Sequence, residues 1–215
     1  MTRMLCMLLL ALMPRIVGAN AVSVVNAVDG TVMRLLESEI VVSVENQVAI
    51  VTAVQTFVNE TGADTTVTYA FPIPEGASAT GLQWIIADTL YEALISPSPQ
   101  DTTLPGTGGG GSPPDQNLLS YLGGTPLFLP VKQTIPADST IRFELTYAQL
   151  LDYAFGSVTF TYPNDYHAIQ ESPLDVQRLR FNLTSPRTIE LAAVMSSHTV
   201  ETSENDGTTA LLETD

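Results

Sequence analysis

A chain of 215 residues with net charge −15 sets 23 acids against 8 lysines and arginines. That surface repels a phosphate backbone, so nucleic-acid binding is excluded. Hydrophobic residues reach 45% and charged residues only 14%, which excludes a disordered acidic tail and predicts one sizeable folded core.

The first element reads as an address. Arg3 supplies a positive n-region, Leu5 to Met13 a short apolar h-region, and Ala19-Asn20-Ala21 a small-x-small cleavage site. Residues 1–21 are therefore expected to be a signal peptide; a buried N-terminal strand or helix is the alternative. The apolar run is too short to span a bilayer, and no later stretch is longer, so no membrane insertion is expected after cleavage. Cys6, the single cysteine, lies inside this segment without the small-residue box of a lipoprotein signal. A mature chain starting near Val22 has no thiol, hence no disulfide and no cysteine-based metal site. Export to the periplasm, cell surface or medium of a bacterium fits that usage. Cleavage removes Arg3 and Arg15 but no acid, leaving Lys132 and five arginines as the cations.

Strands follow. Two β-type runs flank the tight polar triplet Glu45-Asn46-Gln47. In Val48–Val58 one parity carries Val48, Ile50, Val54 and Val58, and the other Ala49, Val51, Ala53 and Phe57. Small residues on the second face predict a strand covered on both sides and central in its sheet. A turn at Asn59–Asp64 with Gly62 leads to Val67, Tyr69, Phe71 and Ile73, which alternate with Thr66, Thr68 and Ala70. The same two-residue period recurs at Ile141, Phe143, Leu145 and Tyr147, at Val158, Phe160 and Tyr162, and at Leu179, Phe181 and Leu183. Each predicts a half-buried strand with one wet face. Further strands are expected near 40–45, 81–88 and 126–133. Glu75-Gly76, Pro136-Ala137-Asp138 and Pro163-Asn164-Asp165 supply turns.

Ser96 to Pro114, SPSPQDTTLPGTGGGGSPP, is expected to be a long Gly/Pro loop inside one domain. A single short helix is expected from Asp115 as N-cap to Gly123, with Leu118, Leu119 and Leu122 on its apolar side. From Ser196 to Asp215 the chain turns acidic, with one weak strand at Ala210-Leu211-Leu212; its abrupt end is expected to precede a further domain. The sum is an all-β chain: an antiparallel β-sandwich over residues 22–195, with one long loop and at most one short helix.

Three blocks resemble the VIT (vault protein inter-alpha-trypsin) domain of bacterial exported proteins. Ala53-Val54-Gln55-Thr56-Phe57-Val58-Asn59 is similar to the family's "v-x-Q-x-F-x-N" strand. Tyr69-Ala70-Phe71-Pro72-Ile73-Pro74-Glu75 is similar to "Y-x-F-P-l-P-e". Ile135-Pro136-Ala137-Asp138-Ser139 leading into Leu145-Thr146-Tyr147 is similar to the "i-x-a-g-d" turn and "l-x-Y" strand. The resemblance runs from about Ser38 to Thr188. It implies structural roles for Gln55, Phe57, Asn59, Tyr69, Phe71, Pro72, Pro74 and Tyr147, a non-enzymatic sandwich, no cofactor and a protein partner. It also implies a downstream von Willebrand type A domain binding a divalent metal through Asp-x-Ser-x-Ser, a motif this chain does not contain. The family's charged helical segment after F-P-x-P is replaced here by Trp84 to Ile95, which reads as strand.

Chemistry finds little to work with. His167 beside Asp165 is the one candidate base with an acid, but no nucleophile elbow accompanies it, and a polar turn explains the pair. Glu37 with Glu39, and Asp152 with Glu144, lack the spacing of a calcium loop. Two histidines and no mature cysteine leave no zinc set. Trp84 with Tyr91, Tyr121 and Tyr153 could stack on a sugar, although Trp84 falls in step with the apolar Leu82 and Ile86. Asn59-Glu60-Thr61 and Asn182-Leu183-Thr184 are sequons that matter only in a eukaryotic secretory route. The expected function is an exported adhesion or scaffold module that contacts a protein. A carbohydrate-binding sandwich and a hydrolase are its rivals.

Overall fold

The computed structural model describes residues 21–93, 121–122, 126–154, 156–167, 169–190, 192–193 and 199–214. The expected signal peptide, except Ala21, and the expected 96–114 loop lie outside the described residues. Of the expected 115–123 helix only Tyr121 and Leu122 are described; both are helical and buried.

Thirteen strands are described: β1 (Ser23–Asn26), β2 (Arg34–Glu45), β3 (Val48–Val58), β4 (Thr65–Pro72), β5 (Ala77–Ile86), β6 (Thr89–Glu92), β7 (Pro126–Ile135), β8 (Thr140–Leu150), β9 (Tyr153–Ala154), β10 (Ser157–Val158), β11 (Val176–Thr184), β12 (Val200–Asn205) and β13 (Thr209–Thr214). They form an eight-stranded sheet in the order β12-β13-β11-β2-β3-β8-β5-β6, a three-stranded sheet β1-β4-β7 and a small β9–β10 hairpin. The two larger sheets pack as a sandwich, with Tyr69 of β4 stacked on Phe143 of β8 at 4.4 Å between ring centroids.

Two-residue periodicity sorts the layers. Ile141, Phe143, Leu145 and Tyr147 of β8 are all fully buried, while Thr140 and Arg142 between and beside them are exposed. In β2 the inward parity would break between Leu35 and Ser38, but a bulge between Leu35 and Glu37 resets it, so both point into the core.

β3 is central, between β2 and β8, but it is covered on one side only. Ala49, Val51, Ala53 and Phe57 are buried, whereas Val48 and Ile50 are 49% and 43% exposed. The small residues mark the inner face, which shares a layer with the large rings of Phe143 and Tyr147; alternating small and large residues lets facing sheets interdigitate. The strand buried on both faces is β4, where Thr68 and Ala70 are as inaccessible as Tyr69 and Phe71. The wet face expected there is absent.

Three other elements differ from the sequence reading. Trp84 to Ile95 is broken by a two-residue turn at Ala87-Asp88, where both residues adopt positive φ of 46° and 64°, and the chain returns as β6. Left-handed turns of this hand match strand twist, yet neither residue is glycine, so the usual signal is missing. Val158, Phe160 and Tyr162 keep alternating burial, but only Ser157–Val158 joins a ladder. Beyond it side chains hold the chain, with Phe160 against Phe181 at 5.7 Å. The acidic end contributes two strands, not one: β12 and β13 form a hairpin that extends the large sheet through β11. The sheet is also mixed, because β11 runs parallel to β2 from Val176↔Glu37 to Thr184↔Glu45. Side-chain parity is the same in either direction, so the sequence pattern could not reveal it.

Candidate functional site

Five crossings between the two larger sheets shape the interior: β1 to β2, β3 to β4, β4 to β5, β6 to β7 and β7 to β8. Asn59, just past β3, joins two of them. Its side-chain Nδ2 donates to the carbonyls of Ala63 (2.9 Å), Ile135 (3.1 Å) and Pro136 (3.0 Å), and its Oδ1 accepts from the Thr61 hydroxyl at 2.7 Å. Its backbone pairs with Ser139 and Asp138. The residue is fully buried. Every polar atom of this amide is used, as burial demands.

Gln55 is the second buried amide. Tyr69 Oη donates to Gln55 Oε1 at 3.1 Å, and Gln55 Nε2 donates to Tyr162 Oη at 3.3 Å. Beside it, Ser38 Oγ and Tyr166 Oη share a hydrogen bond of 3.0 Å. These links draw the Tyr162–Tyr166 segment onto the sandwich interior without a strand ladder. Burial raises the ionisation of Tyr69 and Tyr162 well above the ordinary phenol range, and pushes Tyr166 up to about 12 against the opposing hydrogen bonds from Ser38 and Gln55. Tyr121 and Tyr147 are raised by burial as well. These phenols are neutral at physiological pH, so the cluster offers neither a nucleophile nor a base.

The remaining residues singled out from the sequence complete this interior. Phe57 meets Phe143 edge-on at 6.1 Å, and Phe71 lies 5.8 Å from Tyr147 and 6.3 Å from Tyr162. Pro72 is buried opposite Pro126 at the end of the β4–β7 ladder, and Pro74 is half-buried beyond it. All eight residues thus gather in or beside the core. Sequence reasoning missed Ser38, Tyr162, Tyr166 and Gln170. Ser38 could have been found, since it is a polar residue in phase with the inward side chains of β2.

Gln170 closes an open ladder. Its Oε1 accepts from Leu35 N at 2.8 Å, and its Nε2 donates to Leu35 O at 3.0 Å and Ser172 O at 2.8 Å. A side-chain amide replaces a strand partner where β11 has not yet begun. Next to it a cleft of about 330 Å³ is lined by Arg34, Glu60, Ile169 and Gln170 among others. Arg34 spends Nε and a terminal nitrogen on Glu60 at 2.9 and 2.6 Å. Arg34 and Glu60 are thus committed to each other, and the Gln170 amide to backbone groups of Leu35 and Ser172.

The other candidates separate. Asp165 Oδ1 meets His167 Nδ1 at 3.1 Å, but it also accepts from the His167 backbone, and the imidazole is 95% exposed. This is a surface turn. Glu39 pairs with Arg178 at 3.7 Å and Glu144 with Arg142 at 3.9 Å, while Glu37 accepts from Thr56. Among the described residues no group of three metal-ligating side chains converges. Trp84 is buried and stacks on Tyr91 at 6.0 Å, Tyr121 is buried, and Tyr153 lies exposed under Arg187. They do not build a common platform.

One surface stands apart. On the outer face of the eight-stranded sheet Val41, Val48, Ile50 and Leu150 are 44%, 49%, 43% and 69% exposed. Ladder register puts Val48 opposite Leu150, Ile50 next along the same face of β3 between Ser43 and Ala148, and Val41 diagonally across from Ile50, opposite Thr52. Arg142, Arg178 and Arg180 share this outward side with Glu37, Glu39, Glu45, Glu144 and Glu213, so the apolar residues sit among charges of both signs on a face that is net acidic.

Comparison with known proteins bears on this arrangement. Residues 35–102 match the family model of the vault protein inter-alpha-trypsin (VIT) domain. The match holds the Gln55–Asn59 and Tyr69–Glu75 blocks; the third block, from Ile135 to Tyr147, lies outside it. A candidate nutrient binding protein from Legionella pneumophila superposes with a TM-score of 0.52 at 15% identity, over 91% of this chain and 67% of its own. An M1 zinc metallopeptidase from Deinococcus radiodurans has a TM-score of 0.44 at 10% identity, over 88% of this chain and 41% of its own. At such identity the first likeness is one of fold, and nothing about catalysis follows from the second. A search of the curated proteins finds no match.

Proposed function

We propose that this chain is an exported, non-catalytic interaction module of VIT type, which contacts another folded protein through the outer face of its eight-stranded sheet. The observation that carries the reading is the contiguous Val41, Val48, Ile50 and Leu150 surface. An outward sheet face is ordinarily polar in a sandwich, and contiguous apolar exposure marks contact sites. The arginines and glutamates around it supply the polar rim that ordinarily borders an apolar contact patch. Support for a non-catalytic role comes from the interior, where Gln55 and Tyr69 bond each other and Asn59 spends its amide on backbone carbonyls.

A photo-crosslinking residue at Ile50, with the full chain expressed in its producing cell, tests this. One discrete protein adduct is expected from position 50 and none from Val28, a highly exposed residue in the β1–β2 connection. Leu150→Glu should abolish that adduct while preserving the β-type circular dichroism. Equal adducts at both positions, or none at position 50, would remove the proposed surface.

A further inference from the structure

Resting on the export reading, we infer that signal peptidase cuts after Ala19, two residues before the site suggested by Ala19-Asn20-Ala21, so that the mature chain begins at Asn20. Ala21 and Val22 are 0% and 1% exposed and belong to the same apolar cluster as Val24 and Leu35. β1 starts immediately afterwards, with Ser23 opposite Ala70 of β4. The Val22 carbonyl accepts from the buried Tyr121 hydroxyl at 3.5 Å, and the neighbouring Ser23 hydroxyl is itself buried without a partner. A cut after Ala21 would delete a core side chain and put an ammonium on Val22. That group is charged at neutral pH, and a buried charge without a partner is strongly disfavoured.

Val17-Gly18-Ala19 offers the peptidase a second site. Its residues are short and uncharged, with alanine at the cut, as the cleavage pattern requires. Cleavage there keeps Ala21 and Val22 within the mature chain and puts the new ammonium on neither of them. The peptidase acts before the chain folds, so the fold does not steer the cut; it marks the earlier site as the one whose product keeps Ala21 and Val22 in the core.

The test is the N-terminus of the exported product of the full-length chain, read by N-terminal sequencing and intact mass after expression in a bacterium with a general secretion pathway. A chain starting at Asn20 is expected, and Ala19→Phe should cause precursor to accumulate or shift the start to Val22. A wild-type product starting at Val22, or processing untouched by Ala19→Phe, would overturn the inference while leaving export intact. A full-length chain retained in the cytoplasm with Met1 in place would instead overturn the export reading and this inference with it.

Discussion

The Asn59 side chain donates to the Ile135 carbonyl at 3.1 Å, tying the end of β3 to the last residue of β7 across the two sheets. Both residues sit where the chain changes sheet. One amide therefore fixes the two corners that close this end of the sandwich.

Asn59→Ala leaves three carbonyls with lost donors and opens a small void. Ala63 and Pro136 keep donors from Thr61 and Ser139, so the cost falls mainly on the buried Ile135 carbonyl. An unsatisfied buried group costs about 1–3 kcal/mol, and a loss of that order is expected in urea unfolding. Asn59→Asp should be as damaging, because a carboxylate cannot donate to Ala63, Ile135 and Pro136. The same burial leaves no room for a glycan on Asn59 in the folded chain, so the folded product from a glycosylating host should carry this side chain unmodified by mass spectrometry, any chain modified there before folding being lost. Wild-type stability in either variant would contradict the assigned role.

What the sequence made legible, and what it did not, follows from which signals are local. β8 is readable because each inward side chain is large and each outward one polar. β3 is misread as two-sided because Val48 and Ile50, apolar yet solvent-facing, look like core in a linear pattern. The turn at Ala87-Asp88 escapes notice because its positive φ falls on residues that rarely adopt it. For the site, Gln55 and Tyr69 stand out by motif, but Tyr162 meets Gln55, Tyr166 meets Ser38 and Gln170 meets Leu35, each from more than a hundred residues away, and no periodicity encodes such a meeting.

Buried tyrosines set an alkaline limit. Tyr69, Tyr121, Tyr147, Tyr162 and Tyr166 all ionise higher in the fold than in the unfolded chain, mainly through burial. A folded value raised above the unfolded one leaves stability intact below pH ~10 and removes it as pH climbs further. Each such phenol adds about 1.4 kcal/mol per pH unit to the slope while only the unfolded form is ionised. Chemical denaturation between pH 9 and 11.5 should show this steep fall, and Tyr69→Phe should make it shallower by one proton. An unchanged slope in that variant would argue against the burial account.

The β12–β13 turn responds to acid in the opposite sense. Asp206 accepts from the backbone of Thr209 at 2.6 Å and Thr208 at 2.8 Å and from both hydroxyls. Those bonds, the Thr209 backbone bond first, hold its carboxyl well below the usual range. A depressed folded value contributes stability that is present above the unfolded value near pH ~3.9 and is lost as pH falls below it. Amide exchange at Thr208 and Thr209 should accelerate between pH 5 and 2.5, after correction for intrinsic rates. Asp206→Asn, which cannot titrate, should remove that acceleration. If the amides of the variant and the parent respond alike, the turn does not depend on this carboxylate.

The parallel pairing of β11 with β2 has a consequence for how the molecule is made. Glu37 waits for Val176, so β2 emerges from a ribosome or a pore long before the strand that will cover its outer edge exists. Until then an extended run ending in Ile40-Val41-Val42-Ser43-Val44 presents unpaired amides to any neighbour. A nascent chain of this design gains from a holding chaperone, and its yield should be governed by the speed of delivery more than by the stability of the finished sandwich.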